Sequence, residues 1–390
     1  MWHLLDHAPF GVTTARFTPQ IRKASVMILH RYFARRFLTM FLSVFTLFIV
    51  IMAFIDLVEH IRKFANTQIA FTDILIFTAL NTPQTVYGIL PLIAILSSIG
   101  LFLSIARSSE LVVTRAAGRS ALRALLAPVT VALVIGAMCV AIMNPIVAGT
   151  QRQYEARYDA LRGQSRSLSF GSSGLWLRQG NTEQQTVIHA QSTNLNGTVL
   201  YDATFLSFDP EGTPLERISA ETAALQDGAW RLEDVKIWPL QSDTLAEANA
   251  EIAPRLNVPS TLTIDQIRDS FGTPSSIPIW ELPTFIARLK AAGFSAQRYE
   301  VWLQMELALP LFLVAMVMVA ASFTMRHQRS GRTGTMVMMA IMLSFTIYFL
   351  RNFTQILGEN GQISPVLAAW APPLIAIGIA FGFLLHQEDG

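Results

Sequence analysis

Six stretches of this chain contain no Asp, Glu, Lys or Arg and are long enough to cross a lipid bilayer: 37–55, 74–106, 124–151, 307–325, 333–350 and 360–387. A spanning helix needs about 20 apolar residues. In hydrocarbon the backbone must satisfy itself, so such stretches are helices. Composition agrees, with 14% charged residues where soluble domains carry roughly 25%. The second stretch exceeds one crossing and holds Pro83 and Pro91; this predicts a kinked helix whose first turns stand outside the bilayer. The sixth holds Pro365, Pro372 and Pro373 and is expected to enter the membrane irregularly.

Lys and Arg in the short loops set the orientation. Arg31, Arg35 and Arg36 precede the first span. Arg107, Arg115, Arg119 and Arg123 separate the second and third, and Arg326, Arg329 and Arg332 the fourth and fifth. The opposite side has only Arg62, Lys63 and Arg351. Both termini are therefore expected in the cytoplasm. Residues 1–26 lack a continuous apolar core and do not read as a cleavable signal peptide; they are expected to form a disordered cytoplasmic extension. Residues 27–151 then hold three spans with a cytoplasmic helix at 107–118, and residues 307–390 hold three more.

Residues 152–306 are then expected outside, which is the periplasm if the organism is Gram-negative. They shift toward Ser, Thr, Gln, Asp and Asn and contain alternating runs at 174–178, 186–189, 199–208, 218–225 and 230–238. Asn196-Gly197, Asp209-Pro-Glu-Gly212 and Asp227-Gly228 punctuate them. Period-two strands with such turns predict an antiparallel sandwich or jelly roll. An amphipathic helix from Ile279 to Ala292, closed by Gly293, leads back to the membrane. The fold class is a membrane α+β protein, three spans plus three, with an inserted jelly-roll-like β domain.

Catalytic signatures are missing. The dipeptide Gly-Lys does not occur, so there is no phosphate-binding loop; H-E-x-x-H, C-x-x-C and G-x-S-x-G are absent too. The single cysteine, Cys139, excludes an internal disulfide. His189 reads as a packed or solvated strand residue. No metal site, catalytic residue or cofactor is expected in this chain. No acid or base is expected in the middle of any span, which argues against a proton-driven carrier; one driven by sodium through backbone carbonyls stays open.

Three features point to function. Arg107-Ser-Ser-Glu-Leu-Val-Val-Thr-Arg-Ala-Ala-Gly118 is short, basic and amphipathic. Ser108 or Ser109 suits a cap, Glu110 suits the positive helix end, Leu111, Val112 and Ala116 share a face, and Gly118 stops the turn. Such a helix either fits a partner's groove or lies on lipid. Arg62 and Lys63 form either a cationic rim for lipid phosphates, which Arg298 and Arg351 would complete, or a snorkelling pair. Spans one and five carry Phe41, Phe45, Phe48 and Met52, and Met342, Phe345 and Tyr348, a compliant apolar lining suited to acyl chains or to ordinary helix and lipid contact.

With these residues in view the chain resembles the LptF/LptG family of lipopolysaccharide export permeases. The 107–118 segment, Gly174-Leu-Trp176 and Tyr299-Glu-Val-Trp302 carry the resemblance, over roughly residues 27–385. It implies a permease subunit, not an enzyme, of an ATP-driven complex in the bacterial inner membrane. It implies an LptF-like permease, an LptB-like ATPase dimer holding ATP and Mg, an LptC-like single-span protein and an LptA-like periplasmic bridge; no nucleic acid enters. Arg107, Ser109, Glu110, Leu111, Val112, Arg115 and Gly118 would couple to the ATPase. Arg62 and Lys63 match basic positions that meet the lipid's phosphates, whereas a further basic position of the family is Asp56 here. The rival reading is a non-transporting mechanotransmission or scaffold protein whose sheet edge recruits periplasmic partners.

Overall fold

The computed structural model describes residues 19–65, 69–107, 121–162, 168–171, 174–180, 184–194, 198–226, 228–240, 247, 249–262, 273–291, 294–325 and 333–389. Helix α1 runs Pro19–Lys63 and α2 Phe71–Gly88; α3 covers Leu90–Arg107 and α4 Ala121–Met138. A π-helical turn at Cys139–Met143 joins α4 to α5 (Asn144–Arg162). After the sheet come α6 (Leu282–Ala291), α7 (Gln297–Thr324), α8 (Thr333–Glu359) and α9 (Pro365–Asp389). Among the described residues, five helices are long and apolar enough to cross a membrane, and α2 with α3 makes a sixth, broken span bent by 61°.

That break lies where the proline pattern predicts a kink. Pro91 has no N–H to return to the Tyr87 carbonyl, and Ile89 closes α2 with a tightened bond to Val86 at 3.2 Å. Pro83 sits inside α2 without breaking it. Two expectations change. Pro19, at a first-turn position that tolerates proline, opens α1, so residues 19–26 are helical rather than part of a disordered extension. Helix α9 is continuous from Pro365 through Pro372 and Pro373 rather than irregular. The helical segments also outrun the charge-free stretches: the third span continues to Arg162 and the fourth begins at Gln297.

Helix α7 is the post of the bundle, touching α3, α4, α8 and α9. Of its most apolar stretch, 78% is buried. Small residues let the neighbours close in: a Cβ at Gly136 would stand 2.4 Å from the Pro310 Cα.

Seven antiparallel strands pair strictly in chain order: β1 Leu168–Gly171, β2 Gly174–Gly180, β3 Gln185–Thr193, β4 Val199–Phe208, β5 Pro214–Gln226, β6 Ala229–Pro239 and β7 Glu251–Pro259. Short turns allow only neighbour pairing, so the connectivity is a meander and not the two Greek keys of a jelly roll. At the second hairpin Gly180 has φ +139°, and any Cβ there would meet the Gln184 carbonyl at 2.3 Å. Strands β1 and β7 lie beyond the alternating runs of the sequence. Pro254 and Pro259 disguise β7, yet an edge strand tolerates them.

The sheet curls until β2 reaches the end of β7. Gln179 Nε2 donates to the Pro259 carbonyl at 3.2 Å, and its Oε1 accepts from Trp230 Nε1 at 3.1 Å and the Ser260 hydroxyl at 2.9 Å. Leu175, Phe205, Trp230 and Leu232 fill the inner face, and Leu282, Ile286 and Leu289 of α6 pack into the same core. Near β6, Glu247 accepts from Lys236 and from Trp238 Nε1. The Lys236 hydrogen bond, then that from Trp238, holds its carboxyl below the usual range.

Candidate functional site

The last turns of α1 sort their residues by face. Asp56, His60 and Phe64 recur every four positions and are buried. Asp56 Oδ2 accepts the Thr85 hydroxyl at 3.0 Å. His60 Nδ1 lies 2.7 Å from the Asp56 carbonyl, so that nitrogen carries the hydrogen and Nε2 accepts from Tyr154 Oη at 3.1 Å. Phe64, Phe77 and Tyr154 surround the imidazole. Asp56 is thus a packing residue between α1 and α2, turned away from any lipid rim.

The four candidate headgroup residues occupy separate settings. Arg62 and Arg298 are exposed. Lys63 folds back over Tyr158, its ammonium 4.2 Å from the ring centroid, and reaches Tyr154 Oη at 3.4 Å. Arg351 turns inward over the Phe312 ring at 5.3 Å.

Arg351 belongs to a buried polar joint. Glu306 on α7 is 4% exposed and accepts the Tyr87 hydroxyl. Asn144 stands within hydrogen-bonding reach of both, and Arg351 within Coulombic range of the carboxylate. Pro310 cannot donate to the Glu306 backbone carbonyl, which loosens α7 at this level. The expectation that spans hold no acid or base fails here. One charge-free stretch starts at 307, one residue too late to include Glu306, and another ends at 350, one residue before Arg351. The argument against proton-driven carriers loses that support, and the transport class must rest on other grounds.

Asn144 also ties the bundle to the sheet's return path. Its Oδ1 accepts the Ile279 N–H at 2.9 Å. Alongside, Arg152 Nε donates to the Ser276 carbonyl at 3.1 Å, and Thr273 donates to Glu155 at 2.6 Å. These residues follow the π-helical turn, whose extra residue sets the direction in which Asn144 points. The joint pairs Tyr87 with a residue 219 positions away, so no local motif announces it.

The acyl-chain candidates divide. Phe41 is in the core, 5% exposed, stacked on Phe45 at 6.1 Å; Phe45 and Met52 are half-buried. Met342 and Phe345 stand on an open face of α8 with Met338, Phe349 and Phe353. Only 6% of the apolar stretch of α1 and 17% of that of α8 is buried. Helix α3 packs on both. Of the coupling residues, Arg107 ends α3; Ser109, Glu110, Leu111, Val112, Arg115 and Gly118 lie outside the described residues. His189 packs against Trp176 at 4.4 Å, and no metal cluster occurs among the described residues.

Comparison with known proteins gives this arrangement a context. Residues 31–386 match the family described as lipopolysaccharide export system permease LptF/LptG. The lipopolysaccharide export system permease protein LptG of Escherichia coli K12 is 24% identical over 364 residues, covering 93% of this chain and 99% of that protein. The protein of the same name from Haemophilus influenzae is 23% identical over 371 residues, with the same coverage.

Proposed function

Since the chain belongs to the LptF/LptG family of lipopolysaccharide export permeases, we propose that its open faces on α1 and α8 form, with a second permease, the cavity that holds the lipid's acyl chains. The chain is a multi-pass permease of an ABC transporter for lipopolysaccharide export, whose ATPase is a separate protein. The observation that carries the proposal is the contrast in burial: α7 is enclosed by its own chain, whereas α1 and α8 present phenylalanines, leucines and methionines outward. Apolar faces in lipid need no cover for solubility. Two such walls, set apart by α3, nevertheless suit a lateral entry for a multi-chain lipid.

In this reading an LptF-like permease supplies the facing walls, and an LptB-like ATPase dimer with ATP and Mg docks on the 107–118 segment. An LptC-like single-span protein and an LptA-like bridge receive the lipid beyond the sheet. Both termini are cytoplasmic and the sheet periplasmic, as the arginine-rich loops support. Arg62 and Arg298 are the exposed headgroup contacts, Lys63 is pre-positioned on Tyr158, and Arg351 acts inside the bundle. Nucleotide-driven closure pushes the coupling segments together and narrows the cavity.

A photo-crosslinking residue at Phe345 should capture lipopolysaccharide in the assembled complex, and one at Val317, 0% exposed in α7, should not. Equal capture at both positions contradicts the cavity. Lipid-stimulated ATPase in the reconstituted complex separates transport from scaffolding.

A further inference from the structure

We propose a second lipid site in this chain, a pocket at the end of the bundle opposite the sheet that takes the phosphate ester of a glycerophospholipid headgroup. Residues Tyr32, Arg35, Arg36, Thr39 and Ser43 follow a three-to-four-residue spacing and share one face of α1. Across from them Leu101 and Ser104 of α3 complete a pocket of about 460 Å³, within the range of small-ligand sites. Thr39, Ser43 and Ser104 are small, and their size opens the groove between the helices.

The pocket has a charged mouth and an apolar floor. Arg36 is held in place by two hydroxyls, Tyr32 Oη at 2.6 Å and Ser104 Oγ at 2.7 Å, and lies over the Tyr32 ring at 5.6 Å. That fixes Arg36 as a cationic wall of the mouth, its terminal nitrogens engaged by these hydroxyls, and leaves the phosphate oxygens to a second guanidinium, whose fork matches them. Arg35 is exposed beside it. Met40 and Leu101 form the inner wall, and exposed Leu38 and Leu42 continue the apolar surface along α1. A free phosphate would use only the mouth, while a lipid uses both parts.

The depth fits as well. At 1.5 Å per residue, Arg35 and Lys63 stand about 42 Å apart along α1, close to the headgroup-to-headgroup thickness of about 40–45 Å. The pocket therefore opens at the headgroup level of the leaflet away from the sheet. It is distinct from the rim at Arg62, and a phospholipid wedged there would brace α1 against α3.

The test uses the whole transporter complex in nanodiscs containing phosphatidylglycerol, then native mass spectrometry after release into mild detergent. Wild type should retain a phosphatidylglycerol adduct. Arg35→Glu with Arg36→Ala should lower its occupancy at least about tenfold, the value of one charge-assisted hydrogen bond. Thr39→Trp, which fills the groove and leaves both arginines, should lower it similarly while the complex melts as wild type does. An adduct that survives Thr39→Trp but not the arginine changes would mean a general basic belt and overturn the pocket. Displacement of the adduct by inorganic phosphate would mean a free-anion site and overturn the lipid assignment. An adduct unchanged in every variant would overturn both.

Discussion

Gly136→Ala adds one methyl group where α4 crosses α7, and the geometry fixes what must follow. The new Cβ would stand 2.4 Å from the Pro310 Cα and 3.0 Å from its Cβ, against 3.4–4 Å for ordinary contact. Backbone blocks the methyl on the near side, so the helices must part by about 1 Å, a gap that forfeits roughly a quarter to a half of each affected contact. Overpacking of this kind costs about 1–3 kcal/mol. Gly100→Ala is the internal control, since its Cβ meets only the Met40 Cε at 2.6 Å, the far end of a flexible side chain that swings aside. The assay is the apparent melting temperature of the detergent-purified complex, followed by size-exclusion recovery after heating. Gly136→Ala should melt several degrees lower, and Gly100→Ala should stay near wild type. Equal melting of the two variants, or a larger loss for Gly100→Ala, would refute the reasoning from close helix approach.

Other changes test the polar joint, the sheet and the rim. Tyr87→Phe removes the hydroxyl that Glu306 accepts and should destabilise the bundle by about 1–3 kcal/mol; Glu306→Leu also strips buried Arg351 of its counter-charge and should cost more, and a double-mutant cycle of melting curves should find the two losses less than additive. Asn144→Leu leaves the Ile279 N–H without its acceptor, so amide exchange should rise across 279–281 while the strands stay protected. Gln179→Ala orphans Trp230 Nε1 and removes the nearer acceptor of the Ser260 hydroxyl, and proteolysis near β7 should speed up. Arg62→Gln should reduce lipopolysaccharide crosslinking near the end of α1 more than Lys63→Gln does, because Lys63 is partly occupied by Tyr158.

Much of the architecture was legible because the bilayer imposes one rule over long windows. Apolar runs about a helix long, and a polar insert with period-two alternation, suffice for three spans, a sheet and three spans. Strand β4 coincides with the alternating run at 199–208, since hydrophobic-in and polar-out faces write themselves into its sequence. Edge strands bury little, so β7, with exposed Ile252 and two prolines, left no such trace. Charge-free windows failed at the span ends for a related reason. They stop at the first ionisable residue, yet Asp56 and Glu306 point into the bundle and extend the buried helix past it. The rim residues were legible as charges and illegible as directions, since Lys63 and Arg351 are turned by rings that lie far off in sequence.

The polar joint suggests how bundle and sheet can work as one body. Helix α7 passes from the sheet's core, where Tyr299 meets Phe285 edge-on at 5.0 Å, straight into the centre of the bundle. Asn144 fixes the return segment at Ile279 to the same level of α7 that carries Glu306. A displacement of α7 therefore reaches the sheet by two connections, one covalent and one hydrogen-bonded, separated by α6. Among the described residues, helices α1 and α8 lack comparable ties to the sheet, and they are enclosed far less by their own chain. Helix α1 packs on α2, α3 and α4, and α8 on α3, α7 and α9, so each keeps one face on the bundle and turns the other to lipid, whereas α7 is enclosed by four neighbouring helices. On the cavity reading proposed above, α7 and the sheet hold position, and α1 and α8 open and close around the substrate.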